Sequence, residues 1–223
     1  MSPAPVAIVG VGPGIGVATA RRFGREGHPI ALMARDQRKL DGIVADLEDE
    51  DLSVLGVAAD AADPAAVASA FERIRSELGD PGVLVMNVVG FGQGKATTLD
   101  LGELDVALRA SIGGALACVQ QVVPAMREAG RGTLLLTGGG LALDPFPNWT
   151  TISLGKAGQR ALWLSLAKEL EPVGIHVGMV TVNGFVKPGT ALDPALIADA
   201  HRALFAQERS GWERELVLSS KPA

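Results

Sequence analysis

Three groups of residues in this 223-residue chain have types and spacings suited to chemistry. The first is Gly10-Val11-Gly12-Pro13-Gly14-Ile15-Gly16, with the spacing Gly10-x-x-x-Gly14-x-Gly16. Glycines there allow a tight turn and let backbone N–H groups approach a pyrophosphate, which also meets the positive end of the following helix. The second is Arg35. An acid at the end of the second strand holds an adenosine ribose in many dinucleotide-binding folds. Here the run Ala31-Leu32-Met33-Ala34 places an alanine in that position, and Arg35 follows it. A guanidinium there can pair with a 2′-phosphate through charge-assisted hydrogen bonds, so NADP(H) is favoured over NAD(H). The plainer alternative makes Arg35 a surface charge beside an Asp36 N-cap. The third group is Ser153-x-x-Lys156, a hydroxyl and an amine near one helical face. Upstream of it, Gly138-Gly139-Gly140 would let backbone N–H groups come close to a bound oxygen, as an oxyanion hole does. For Ser153 the competing role is helix-start capping, and for the glycines a flexible loop.

These residues need elements to position them, and the chain supplies a regular alternation. Apolar runs at Val6–Val9, Ile30–Ala34, Val54–Ala58, Val83–Met86, Thr133–Thr137 and His176–Val182 read as strands. Helical periods separate them at 15–25, 37–47, 65–78, 104–126 and 153–170. Asp193-Pro194 opens a further short helix through Phe205, and Glu215–Leu218 supplies a last strand. Strands apolar throughout, separated by helices, predict a parallel sheet covered on both faces. The expected fold is α/β, a single doubly wound parallel sheet of Rossmann type. Residues 1–223 form one dinucleotide-binding domain with a short C-terminal helix and tail. In that context the glycine loop joins the first strand to the first helix, which is where the motif has meaning.

Composition narrows the function classes. The net charge of −5 comes from interspersed acids and bases, so no basic footprint for nucleic acid is present. No apolar stretch of about 18 residues escapes a charge or a Gly/Pro break, so no membrane span is expected. The single Cys118 excludes an internal disulfide and suits a reducing compartment; with no positively charged leader at the N-terminus, a cytoplasmic location is expected. His28, His176 and His201 are scattered and lack partners at metal-ligand spacing, so no metal is expected.

Taken together, the chain resembles the short-chain dehydrogenase/reductase family over nearly its whole length. The glycine loop 10–16 carries the resemblance, with Ala59-Asp60-Ala61 after the third strand, where the family sets an Asp against adenine. Asn87-Val88-Val89-Gly90 is similar to the family's Asn-Asn-Ala-Gly, and Asn183-Gly184-Phe185-Val186 to the Pro-Gly stretch beside the nicotinamide. The resemblance implies a cofactor site of Gly10, Gly12, Gly14, Ile15, Gly16, Arg35, Asp60, Ala61, Asn87, Lys156 and Val186. It also implies a homodimer or homotetramer formed through the helices near 104–126 and 153–170.

The family's chemistry uses four residues, and this chain keeps one. Four residues before Lys156, where the family has its proton-transferring Tyr, stands Ile152, and the chain has no tyrosine at all. Gly139 takes the place of the carbonyl-orienting Ser, and Ser111 that of the Asn that anchors a relay water. Ile152 has no proton to give and Gly139 no side chain to hold an oxyanion, so the family's mechanism cannot operate unchanged. Lys156 and Ser153 are the remaining catalytic candidates. Three functions fit: an NADP(H)-dependent oxidoreductase with a different proton route, an inactive NADP(H)-binding sensor or scaffold, and a non-redox enzyme reusing the pocket. The partner in each case is a small apolar substrate or ligand, and Phe205 and Trp212 are expected to close over its pocket.

Overall fold

The computed structural model describes residues 3–220. Seven strands are seen among them: β1 (Val6–Val9), β2 (Ile30–Ala34), β3 (Val54–Ala58), β4 (Val83–Met86), β5 (Gly132–Gly139), β6 (Ile175–Asn183) and β7 (Glu215–Ser219). They form one sheet in the order β3-β2-β1-β4-β5-β6-β7. Every pairing is parallel, with Val6 opposite both Ile30 and Val83, and Gly139 opposite Val182. β1 and β4 are buried at every position, which explains their uninterrupted apolar runs.

The helices are α1 (Ile15–Gly24), α2 (Gln37–Glu48), α3 (Pro64–Leu78), α4 (Leu101–Leu108), α5 (Gly114–Ala129), α6 (Thr150–Leu170) and α7 (Pro194–Phe205). Several start on the side chains expected of caps. Asp36 accepts from Lys39 N, Asp63 from Ala65 N and Ala66 N, Asp100 from Glu103 N, and Asp193 from Ala195 N. Two apolar cores cover the sheet. One holds Phe71, Cys118, Val122, Trp163 and Leu170; the other holds Phe23, Leu40, Leu192, Ile197 and Leu204. The Leu162, Leu166 and Leu170 stripe of α6 turns toward its own sheet, with Leu166 and Leu170 buried and Leu162 packed against them. Cys118 is fully buried, and desolvation pushes its thiol up to about 12, which leaves it inert.

The largest departures from the sequence expectation are in two helices. The helix expected at 104–126 spans 101–129 and is interrupted by a π turn, Arg109–Gly113, centred on Ser111. By length and composition this is the one helix among the described residues able to cross a membrane. Its Ala107, Ser111, Ala115, Cys118, Val122 and Met126 are buried, as in a core helix. The last α6 helix-start residue lies at Thr150, three positions before the expected Ser153.

A second correction concerns Phe205 and Trp212. Both line a cavity of about 530 Å³ with His28, Thr133 and His176, at the edge where the strands begin. They therefore lie away from the strand ends that carry the glycine loop. The reason is topological: β7 runs parallel to β6, so the chain must return to that edge along α7 before β7 starts.

Close backbone packing sets the spacing between layers. A β carbon on Gly90 would run into the carbonyl group of Ala107 in α4. Gly90→Ala is expected to lose about 1–3 kcal/mol by overpacking, read as a lower urea midpoint. A change within experimental error would contradict this close approach.

Candidate active site

The functional residues collect at the edge where the strands end, around the point at which the strand order reverses between β1 and β4. Gly10 leaves β1 with φ +85°, and a β carbon there would collide with Val88. Asn87, leaving β4, donates from Nδ2 to the Gly10 carbonyl at 2.9 Å and so joins the two strand ends. Gly12 and Gly14 face open space, with nothing within 4 Å of where a β carbon would stand. Helix α1 begins at Ile15 on Gly14 without a side-chain cap, so its first amide groups stay available to an anion.

A cleft of about 350 Å³ continues from this loop, lined by Gly10, Arg35, Asp60, Ala61, Asn87 and Gly90 among others. Arg35 is exposed and engages none of the other described residues. Asp36 does not neutralise it, being committed to the α2 cap at 3.2 Å and to Lys39 Nζ at 3.7 Å. Asp60 turns its carboxylate onto Ala62 N at 2.9 Å, and Ala61 is buried against Gly114 of α5. The open glycines and the uncapped helix fit a nicotinamide dinucleotide. Gly10, Gly12, Gly14, Ile15 and Gly16 would hold its pyrophosphate, Arg35 would stand beside its adenosine ribose, Asp60 and Ala61 beside its adenine, and Asn87, Lys156 and Val186 beside its nicotinamide half.

The second part of the site lies on α6. Lys156 is 9% exposed and donates from Nζ to the Thr137 carbonyl of β5 at 2.7 Å. Burial pushes its ammonium down from the ordinary 10.5 to about 8. Ile152 is half-buried one turn earlier. A β carbon on Gly139 would make ordinary contacts with the Lys156 stem, 3.4 Å from Cγ and 3.6 Å from Cε, so the place of a serine there is open.

Ser153 is not directed at Lys156. Its hydroxyl donates to the Trp149 carbonyl at 2.9 Å, the backbone bond of a helix-start residue. Ser111 is fully buried, and its hydroxyl accepts from Gly90 N at 2.7 Å. Its backbone carbonyl takes Nε2 of Gln159 at 3.0 Å, and the same amide group reaches the Val88 carbonyl at 2.9 Å. Gln159 thus stitches α6 to the π turn and to the chain leaving β4. The sequence reading missed it, although a lone glutamine one turn beyond Lys156 in an otherwise apolar stripe was the available signal. Thr151, on the same helix, is buried, and its hydroxyl has no partner among the described residues.

The triple glycine is not a free loop. Gly138 and Gly139 extend β5 opposite Thr181 and Val182, and Gly140 opens a short 3₁₀ turn. A side chain on Gly138 would meet Thr181, and one on Gly140 would meet Asn183, so the close approach there serves β6. Val186 is exposed in the 184–193 strap that follows β6. The histidines lie elsewhere. His28 and His176 sit at the opposite edge. His201 on α7 is fully buried, its ring 3.5 Å from the Thr137 hydroxyl, and desolvation lowers it to about 4.

Comparison with known proteins agrees with this geometry. The sequence model of the short chain dehydrogenases matches residues 5–196. The short-chain reductase protein NovJ of Streptomyces niveus is 30% identical over 213 residues, covering 95% of this chain and 76% of NovJ. A mitochondrial (−)-isopiperitenol/(−)-carveol dehydrogenase of Mentha piperita is 32% identical over 196 residues, covering 83% of this chain and 71% of the enzyme. A metagenomic short-chain oxidoreductase solved in complex with NADP superposes with a TM-score of 0.87 at 25% identity, covering 98% of each chain.

Lys156 also links this site to stability. Between pH 8 and 10.5 the unfolded chain keeps a proton that the folded chain has released, so this group makes stability rise with pH. Cys118 acts oppositely above its ordinary 9.0. The stability difference between the wild type and Lys156→Met should therefore grow in favour of the wild type from pH 8 to 9 in urea titrations. A flat difference would contradict burial of the ammonium. The site and the sequence together assign this chain to the short-chain dehydrogenase/reductase family of oxidoreductases.

Proposed function

We propose that this chain is an NADP(H)-dependent oxidoreductase that interconverts a small apolar carbonyl compound and its alcohol without a tyrosine. The observation that carries this reading is the cleft between the ends of β1 and β4, lined by Gly10, Asn87 and Asp60 with Arg35 at its edge. When bound, the nicotinamide supplies or accepts a hydride. The protein's own contribution is to seat the pyrophosphate on the α1 amides, to read the 2′-phosphate with Arg35 and to exclude water around Lys156.

The substrate class follows from the side chains after β4, β5 and β6. Phe91, Leu143, Phe146 and Phe185 are exposed there, Phe185 by 90%, and the Phe91 and Trp149 rings meet edge-on at 5.7 Å. A rim of that kind suits an apolar molecule. The Mentha piperita relative is named for two alcohols, isopiperitenol and carveol, which supports the same class here.

A second reading keeps the cofactor and drops the turnover. It is favoured by Ile152 and Gly139, neither of which can move a proton or hold an oxyanion. Under both readings the chain assembles as a homodimer or homotetramer in the cytoplasm. Leu101, Val106, Leu116 and Leu154 form exposed apolar positions on α4, α5 and α6 for that contact.

Arg35→Ala is expected to weaken NADPH binding about 10–100-fold while changing NADH binding little, since a charge-assisted hydrogen bond contributes about 1.5–3 kcal/mol. Equal losses for both cofactors would remove the 2′-phosphate assignment. The double variant Gly139→Ser/Ile152→Tyr separates the two functional readings. Activity on aldehydes and ketones in the wild type supports the oxidoreductase, whereas activity seen only in the double variant supports the binding protein.

A further inference from the structure

We propose that the cavity at the edge where the strands begin is a second binding site, which takes a small neutral aromatic compound carrying a hydroxyl group. It is separate from the cofactor cleft and does not depend on the oxidoreductase reading. Strand register builds its floor. Val83, Thr133 and His176 lie opposite one another near the starts of β4, β5 and β6, so their side chains stand in a row on one face of the sheet. His28, Phe205 and Trp212 join that row as lining, and the enclosed space is about 530 Å³. That is the size of a small-molecule pocket, and a mainly apolar, aromatic lining is usual for one.

The aromatic walls are held by their own contacts and are not free to fill the space. Trp212 lies flat on His176, with ring centres 4.8 Å apart and 3° between the planes, and its Nε1 donates to the Gln207 carbonyl at 3.1 Å. Phe205 meets the rings of Phe23 and His28 edge-on at 5.4 and 5.5 Å. A pocket formed in advance loses little conformational freedom when a ring enters it.

Two polar groups in this lining set the chemistry. Thr133 is 7% exposed, and its hydroxyl has no partner among the described residues. His28 is 9% exposed, and its Nδ1 donates to the Ala4 carbonyl at 2.7 Å, since a carbonyl only accepts. Its Nε2 is left without a partner among the described residues. Neither atom is sealed from solvent. A ligand hydroxyl both gives and takes a hydrogen bond, so it suits a threonine hydroxyl and an imidazole nitrogen alike. His176 is excluded as the contact, because its Nε2 faces the Glu213 carbonyl at 3.1 Å and its Nδ1 is sealed. Asp80 and Arg131, exposed and of opposite sign, add no net charge to the lining. An apolar interior without net charge favours a neutral molecule over an ion.

The three tryptophans make the test local. Trp212 lines the cavity, Trp149 meets Phe91 at the opposite edge of the sheet, and Trp163 is buried in the core. In nitrogen–proton correlated NMR of the wild-type chain, 4-fluorophenol should shift the Trp212 indole signal saturably, with a Kd of about 1 mM, and leave Trp149 and Trp163 in place. Fluorobenzene, which lacks the hydroxyl group, should bind about 3–10-fold more weakly. The near-isosteric Thr133→Val and the ring-preserving His28→Phe test the two anchors, and a loss of about 3–10-fold in either supports the site. No Trp212 shift up to about 10 mM, or a shift of Trp149 alone, overturns the site. Equal binding of fluorobenzene, or an affinity for 4-fluorophenol unchanged in both variants, overturns the hydroxyl recognition and the ligand class with it.

Discussion

After β1 the chain builds β2 and β3 on one side, and then crosses to place β4 on the other. That crossing leaves the ends of β1 and β4 side by side with no helix between them, and the rest of the site depends on the crevice it opens. The Asn87–Gly10 hydrogen bond closes its floor at 2.9 Å. Gly10 can be reached in this way because it turns at φ +85° and carries no side chain. Gly10 and Val11 of the loop leading into α1 line the crevice on one side, and Arg35 borders it at the end of β2. A parallel sheet delivers every strand end to this edge, so one topological fact gathers residues from positions 10 to 186.

The second half of the site depends on α6 being held firmly against β5. Two polar side chains do this from inside an apolar interface. Lys156 reaches the Thr137 carbonyl, and Gln159 bonds the Val88 and Ser111 carbonyls together. A buried ammonium is costly to desolvate, and its depressed pKa records that cost. The π turn around Ser111 is held in place because the Ser111 hydroxyl accepts from Gly90 N and its carbonyl accepts from Gln159 Nε2. Ile152 and Gly139, which carry no polar side chain, sit on this same frame beside Lys156.

Much of this was legible in the sequence. Strands buried on both faces must be apolar at each position, so β1, β2 and β4 stand out with the boundaries observed, and the partly buried edge strand β3 still carries an apolar run. Aspartate caps and glycine turns likewise declare themselves locally. The residues that were harder to read act through contacts distant in sequence. Gln159 meets Val88 from 71 residues away, and the π turn depends on it. The triple glycine looked like a ligand-facing loop because the sequence does not show that Thr181 and Asn183 fill the room beside it. Phe205 and Trp212 were set at the wrong edge for a reason the topology explains, since a parallel last strand obliges the chain to return first.

The central claim is that the crevice between β1 and β4 holds a nicotinamide dinucleotide whose 2′-phosphate meets Arg35. Calorimetric titration of the wild-type chain with NADPH and with NADH tests it most directly. The account predicts saturable binding of one NADPH per chain at micromolar concentrations and weaker binding of NADH. No heat of binding for either cofactor, or tighter binding of NADH, would contradict it.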